Sequence, residues 1–174
     1  MNRNFKIIVA VIFGLSIFFI LLKGLENPNK YTPLNISNKI DLNISLKELF
    51  DENEYSIKEL ADKKKFVLIN IWSSWCLPCR EEHFYLMKLK DYSVDVIGIN
   101  YKDKSNNAKF FIKKMGNPYA KILVDDDGTK SIELGAIGVP ETYLIDVSAS
   151  KVLKKYIGPL DQKKFEEIVD TLKL

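Results

Sequence analysis

Cysteine is nearly absent from this chain: its 174 residues contain two, Cys76 and Cys79, separated by Leu77 and Pro78. A disulfide across so short a loop removes little entropy from the unfolded chain, which excludes a structural staple of the kind that holds small secreted scaffolds together. Histidine is scarcer still. His83 stands alone, so a Cys/Cys/His metal centre would lack the fourth ligand that a structural zinc needs. Beyond residue 30 there is no excess of charge of either sign. Arg3, Lys6, Lys23 and Lys30 against Glu26 give the first thirty residues a balance of +3, which is the net charge of the whole chain, and the other 144 residues are neutral overall. The basic pI therefore reports on one end of the molecule and gives no argument for nucleic acid. No internal repeat or low-complexity tract interrupts the remainder, which has the length of one domain with its own core.

One long hydrophobic run is present. Ile7 to Leu22 carries no charge and follows Arg3 and Lys6. At about 1.5 Å per residue it spans roughly 24 Å, short of a ~30 Å hydrocarbon core by a distance that Lys6 and Lys23 can cover by snorkelling. A cleaved signal peptide is the alternative, but Lys-Gly-Leu-Glu-Asn-Pro after Leu22 offers no small-x-small cleavage site. The expectation is a transmembrane anchor over 7–22 with 1–6 cytoplasmic. Residues 23–40, with Pro28, Pro33 and four asparagines from Asn27 to Asn38, form a stalk, and 41–174 form the domain. Positive charge before the span places the domain outside the cytoplasmic (inner) membrane, in the periplasm of a bacterium.

Apolar and amphipathic stretches alternate along the domain. Strands are predicted at Phe66–Trp72 and Val94–Asn100, with helices after Pro78 to about Lys90 and over Asn106–Met115. Tyr119–Val124, Thr142–Asp146 and Lys151–Ile157 read as further strands, and Asp161–Leu172 as a helix with an aspartate cap. The pattern gives an α/β fold: a mixed central sheet flanked by helices, with the cysteines at the C-terminal end of the first strand, where α/β sheets carry their sites. Two thiols at a helix start can close and reopen a small disulfide ring. Cys76, nearest the helix N-terminus, gains thiolate stability from backbone N–H groups and the helix dipole, so it is the candidate nucleophile and Cys79 the resolving thiol.

The segment Val67-Leu68-Ile69-Asn70-Ile71-Trp72-Ser73-Ser74-Trp75-Cys76-Leu77-Pro78-Cys79-Arg80-Glu81-Glu82-His83 resembles the active site of membrane-tethered thioredoxin-like proteins. Gly98-Ile99-Asn100-Tyr101-Lys102-Asp103, Gly138-Val139-Pro140-Glu141-Thr142-Tyr143-Leu144-Ile145-Asp146 and Gly158-Pro159-Leu160 narrow the resemblance to the CcmG/DsbE family, the thiol:disulfide reductants of cytochrome c maturation. It covers roughly Leu42 to the end. Phe84 departs from it, since members often have proline there. The resemblance implies a thioredoxin-like fold, a cis peptide bond before Pro140 packed opposite the cysteines, and substrate contacts at Trp75, Leu77, Pro78, Val139 and Pro140. It implies as partners apocytochrome c, other maturation proteins and a membrane thiol–disulfide electron donor, with no cofactor and no metal. Related tethered reductants with other substrates, a general disulfide oxidant and a non-catalytic metal-delivery module are the alternatives.

Thioredoxins are known for a buried aspartate beneath the cysteines. The matching residue here is Asn70, and an amide cannot shuttle protons. Glu82 lies three residues after Cys79 and so on its helical face, and Glu141 follows Pro140; the resemblance implies that both approach the active site, which makes them the candidate catalytic carboxylates, expected to disfavour the Cys76 thiolate by like charge. The competing reading leaves each as a solvated surface glutamate. His83 is expected to pack on or cap the first helix, and Asp125-Asp126-Asp127-Gly128 to form a β-turn, since Lys130 stands where a calcium loop needs glycine.

Overall fold

The computed structural model describes residues 3–26, 39–92 and 94–173. Most of the stalk expected at 23–40 lies outside the described residues. The chain divides into two units.

The first holds helix α1, Arg3–Glu26. Its apolar stretch runs from Asn4 to Lys23, 20 residues with a mean hydropathy of 2.8. At about 1.5 Å per residue that reaches roughly 30 Å, the thickness of a hydrocarbon core. The helix extends beyond the uncharged run 7–22 into its charged flanks. Ser16, the polar residue of the run, returns its Oγ–H to the carbonyl of Ile12, so its hydroxyl is satisfied within the helix. Such a segment can serve as an anchor or as a signal.

The second unit is a seven-stranded sheet. Its strands are β1 (Ser45–Glu48), β2 (Glu54–Ser56), β3 (Phe66–Trp72), β4 (Val96–Tyr101), β5 (Lys121–Asp125), β6 (Glu141–Asp146) and β7 (Lys151–Ile157). They lie in the order β2-β1-β5-β4-β3-β6-β7; β3, β4 and β5 run parallel, and the remaining neighbours pair antiparallel. Helices α2 (Ile57–Leu60), α3 (Leu77–Asp91), α4 (Ser105–Met115), α5 (Thr129–Glu133) and α6 (Gln162–Leu172) complete it.

Strand periodicity sorts the core into two layers. Leu68, Trp72, Val96, Ile122 and Leu144 pack with Leu86 and Leu89 of α3, Phe111 and Ile112 of α4, and Phe165 and Ile168 of α6. Val67, Ile69, Ile71, Ile97, Ile99, Tyr143 and Ile145 face the other way, onto Ile40, Leu42, Ile44, Ile57 and Leu134. Every apolar position of β3 is thereby used on one face or the other. The mixed, helix-flanked sheet expected from the sequence is present.

Four short elements were not predicted: β1, β2, α2 and α5 hold three to five residues each. The strand expected to start at Tyr119 begins at Lys121, because the Asn117 side chain accepts the Tyr119 N–H and holds a turn there. Asp125 is buried and accepts from the N–H and Oγ–H of Ser131, so the expected turn leads into α5. Gly128 there has φ +76°, and a Cβ would lie 2.4 Å from the Tyr101 ring.

Gly98, at the centre of β4, lies beneath two aromatic rings. A Cβ there would come within 2.9 Å of the Tyr119 ring and 3.0 Å of the Trp72 indole nitrogen. Gly98→Ala is expected to cost about 1–3 kcal/mol by overpacking, read as a lower urea midpoint. An unchanged midpoint would show that both rings can yield.

Candidate active site

Strand β3 ends at Trp72, and the chain turns through Ser73–Trp75 into α3. The loop after β4 clamps that turn. Asp103 Oδ2 accepts the Ser74 N–H at 2.6 Å and Asp103 Oδ1 the Ser74 hydroxyl at 2.9 Å. Asn100 Nδ2 donates to Asp103 at 3.1 Å, and Trp75 Nε1 donates to the Lys102 carbonyl at 3.0 Å. The Arg80 guanidinium closes the turn from the helix side by donating to the Ser74 carbonyl. The Asn-Tyr-Lys-Asp segment thus has a structural job: it fixes the approach to the cysteines.

Cys76 is the N-cap of α3, with Pro78 in the first turn. Its sulfur accepts the Cys79 N–H at 3.1 Å, one of the backbone donors that a helix start leaves free. Cys76 and Cys79 are joined as a disulfide. Both are almost fully buried, at 3% and 2% exposure, so exposure does not distinguish them; position at the N-cap does. Trp75 and Leu77 stand out on either side of Cys76, 57% and 66% exposed, and Pro78 is exposed too. The Val139–Pro140 peptide bond is cis, as the resemblance implied. In the β3–β6 register Glu141 lies opposite Ile71, so Pro140 adjoins the strand end that leads to the cysteines, and Val139 packs on the core cluster containing both.

Neither candidate glutamate is a surface residue. Glu82 is completely buried. Its Oε1 accepts from Asn70 Nδ2 at 2.8 Å and its Oε2 from the Leu160 N–H at 2.9 Å. Burial pushes its carboxyl up to about 7, with the Leu160 N–H, the Asn70 amide and the Lys164 ammonium pulling the other way. Glu141, 1% exposed, is differently placed. It accepts from the N–H groups of Ile137 and Gly138 and from the Tyr143 hydroxyl, and it pairs at 2.8 Å with Lys155, whose side chain is 8% exposed. The like charge expected from this position to disfavour the Cys76 thiolate is thus held in an ion pair with Lys155. Sequence reasoning missed Lys155 because β7 reads as a surface strand, with Lys151, Lys154 and Lys155 along it.

His83 is buried, its Nε2 within 3.2 Å of the carbonyls of Met115 and Gly116. Burial lowers its basicity, and it ties α3 to the end of α4. Phe84 is exposed on the same helix. A hollow of about 370 Å³ lies beside the cysteine turn, lined by Ser74, Trp75, Arg80, Phe110, Lys114 and Met115 among others.

A mixed sheet, a Cys-x-x-Cys pair capping a helix and an adjoining cis-proline turn define a thioredoxin-like dithiol–disulfide oxidoreductase. The Redoxin family profile matches residues 37–172. The DsbE thiol:disulfide interchange protein of Pasteurella multocida (strain Pm70) is 40% identical over 128 residues, 74% of this chain and 70% of that protein. The DsbE of Escherichia coli (strain K12) is 32% identical over 99% of this chain and 95% of its own length. Among solved structures, a DsbF homologue from Corynebacterium diphtheriae superposes with a TM-score of 0.64 at 28% identity, covering 76% of this chain and 85% of that one. The chain belongs to the redoxin family and, within it, to the DsbE thiol:disulfide interchange proteins.

Two outcomes test the electrostatics. Glu82 has a folded value near 7 against an ordinary 4.5, so the folded state binds its proton more tightly than the unfolded chain. Its contribution to stability is therefore best below the ordinary value and falls as pH rises through the folded one, by about 3 kcal/mol. The difference in stability between wild type and Glu82→Gln, from urea unfolding of the oxidised forms, should follow that curve; a difference independent of pH would contradict it. Separately, Glu141→Gln leaves Lys155 buried and unpaired and should cost about 3–5 kcal/mol. Glu141→Gln with Lys155→Met should be less destabilised than the single variant, and equal or greater loss would show that the pair is not the stabilising contact.

Proposed function

We propose that this protein is a membrane-anchored periplasmic reductant that keeps the haem-attachment cysteines of apocytochrome c reduced. Haem attachment needs free thiols in a compartment that oxidises them, which gives a dedicated reductant its purpose. The observation that carries the reading is Glu82: a buried carboxyl on the helical face of Cys79, about half ionised near neutral pH, able to take the proton that the resolving thiol must lose. The substrate class is carried over from the CcmG/DsbE resemblance. Kinship with the E. coli DsbE runs over 99% of the chain, α1 included, which supports an uncleaved anchor. Tethering raises the concentration of the domain near other maturation proteins and near a membrane thiol–disulfide electron donor.

In the reduced protein Cys76 thiolate attacks the substrate disulfide, forming a mixed disulfide and expelling one substrate thiolate. Cys79 then gives its proton to Glu82 and its thiolate attacks Cys76 Sγ. The Cys76–Cys79 bond forms, the Cys76–substrate bond breaks, and the electron pair leaves on the substrate sulfur. The dithiol is oxidised and the substrate reduced. Trp75, Leu77 and Pro78 on one side and Val139 and Pro140 on the other bound the strip on which an extended substrate segment lies. Glu141 acts by bracing the turn at Ile137 and Gly138 that precedes Pro140.

Cys79→Ser should accumulate mixed disulfides with c-type apocytochromes on non-reducing gels, and Cys76→Ser should not. Trapping by both variants alike would overturn the roles. Trapped partners without a haem-attachment motif would overturn the substrate.

A further inference from the structure

Behind the glutamate lies a second layer of polar groups that thiol exchange between sulfurs does not itself require. Asn70 is completely buried on β3, and each side-chain atom that can hydrogen-bond does so. Nδ2 donates to Glu82 Oε1 at 2.8 Å and to Thr142 Oγ1 at 3.0 Å, while Oδ1 accepts from the Tyr119 hydroxyl at 2.9 Å. A primary amide in this position has two orientations. With Nδ2 toward Glu82 it donates to a carboxylate; turned over, Oδ1 would face Glu82 and could accept only from the protonated acid. What faces the other end of the amide therefore matters, and that is Tyr119.

The Tyr119 ring has little freedom to move. It stacks on Trp72 with centroids 5.5 Å apart and planes 17° from parallel, and it lies so close over Gly98 that a Cβ there would sit 2.9 Å away. Burial and the nearby Glu82 charge push its own hydroxyl well above the usual range, so it stays a proton donor. Around Glu82 the other groups are the Leu160 N–H before α6 and the Lys164 ammonium on α6, whose Nζ is itself engaged by the carbonyls of Ile157 and Pro159. Among these, Asn70 is the donor that a rotation about one bond would remove.

We propose that Tyr119 is a positioning residue of the redox site: by donating to Asn70 Oδ1 it fixes the amide with Nδ2 toward Glu82, and so favours the carboxylate form that receives the Cys79 proton. This rests on the reading of Glu82 as that proton acceptor. Asn70, which cannot carry a proton, serves instead as the relay through which a buried phenol acts on a carboxyl it does not touch. Tyr119 contacts neither cysteine nor substrate in this role.

The test uses the full chain in detergent, oxidised, with carboxyl-¹³C glutamate; the Glu82 resonance is assigned by its loss in Glu82→Gln. Tyr119→Phe keeps the stacked ring and removes the hydroxyl. The Glu82 midpoint should rise by about one pH unit, a tenfold change in ionisation, which is the scale of one charge-assisted hydrogen bond. Asn70→Leu should raise it at least as far, and the double variant no further than Asn70→Leu alone, because Tyr119 acts through Asn70. The pH profile of release from a mixed disulfide on Cys76 should shift with the midpoint. In wild type, cross-relaxation from the Asn70 amide protons should reach the Glu82 side chain and not the Tyr119 ring on either side of the midpoint; contact with the ring instead would overturn the proposal whether or not the variants fold. An unmoved midpoint in a folded Tyr119→Phe would also overturn it. A midpoint that moves while the release profile stays fixed leaves Tyr119 as the residue that orients Asn70 and refutes Glu82 as proton acceptor.

Discussion

The proposed proton transfer depends on one carboxyl group that, among the described residues, is buried without a counter-charge in contact. Among those residues Glu82 has two N–H donors, from Asn70 and Leu160, and no direct ion pair; Lys164 lowers its proton affinity only from a distance. Two hydrogen bonds do not repay the loss of water around a full charge, and the group compensates by holding its proton to about neutral pH. That is the value at which a proton acceptor is most useful to a thiol. Glu141 shows the contrast within the same domain. It is as deeply buried, but Lys155 and three hydrogen-bond donors surround it, and what it supports is the geometry of a turn.

Placement of Glu82 follows from the fold. Strand β3 is apolar on both faces because helices cover one and Ile40, Leu42, Ile44, Ile57 and Leu134 the other, and Asn70 is its polar exception. The parallel pairing of β3 with β4 brings Gly98 opposite Asn70, and the absence of a side chain at Gly98 leaves room for the Tyr119 ring above it. Antiparallel pairing with β6 sets Thr142 opposite Asn70 on the other side. Three strands thus converge on one amide, and α3, started by Cys76 and Pro78, brings Glu82 down onto it one turn beyond Cys79. The loop after β4 meanwhile holds the cysteine turn through Asp103 and the Lys102 carbonyl, so the disulfide and the carboxyl are positioned from the same strand.

Much of this was legible in the residues. The long strands and helices, the redox pair and the anchor-like helix follow from periodicity, from the Cys-x-x-Cys spacing at a helix start and from an uncharged run. The short elements β1, β2, α2 and α5 were not legible, because three to five residues carry no period and their charged side chains read as loop. The spacing from Cys79 placed Glu82 on the right helical face but could not reveal its burial, since glutamates are usually solvated. Asn70 was recognised as the residue in place of an aspartate and credited with nothing further; its partner Tyr119 is 49 residues away, and the β3–β4 and β4–β5 crossovers lie between them. Lys155 was invisible for a similar reason: a lysine on an edge strand is ordinarily exposed, and nothing local shows that it turns inward to Glu141.

The central claim is that Glu82 receives the proton of Cys79. Time-resolved infrared spectroscopy of a mixed disulfide formed on Cys76, started above the Glu82 midpoint, tests it most directly. As the disulfide passes to Cys79, a protonated-carboxyl C=O band should appear in step with release of the substrate thiol and be missing in Glu82→Gln. Release at the full rate with no such band, or with the same band in the variant, would contradict the account.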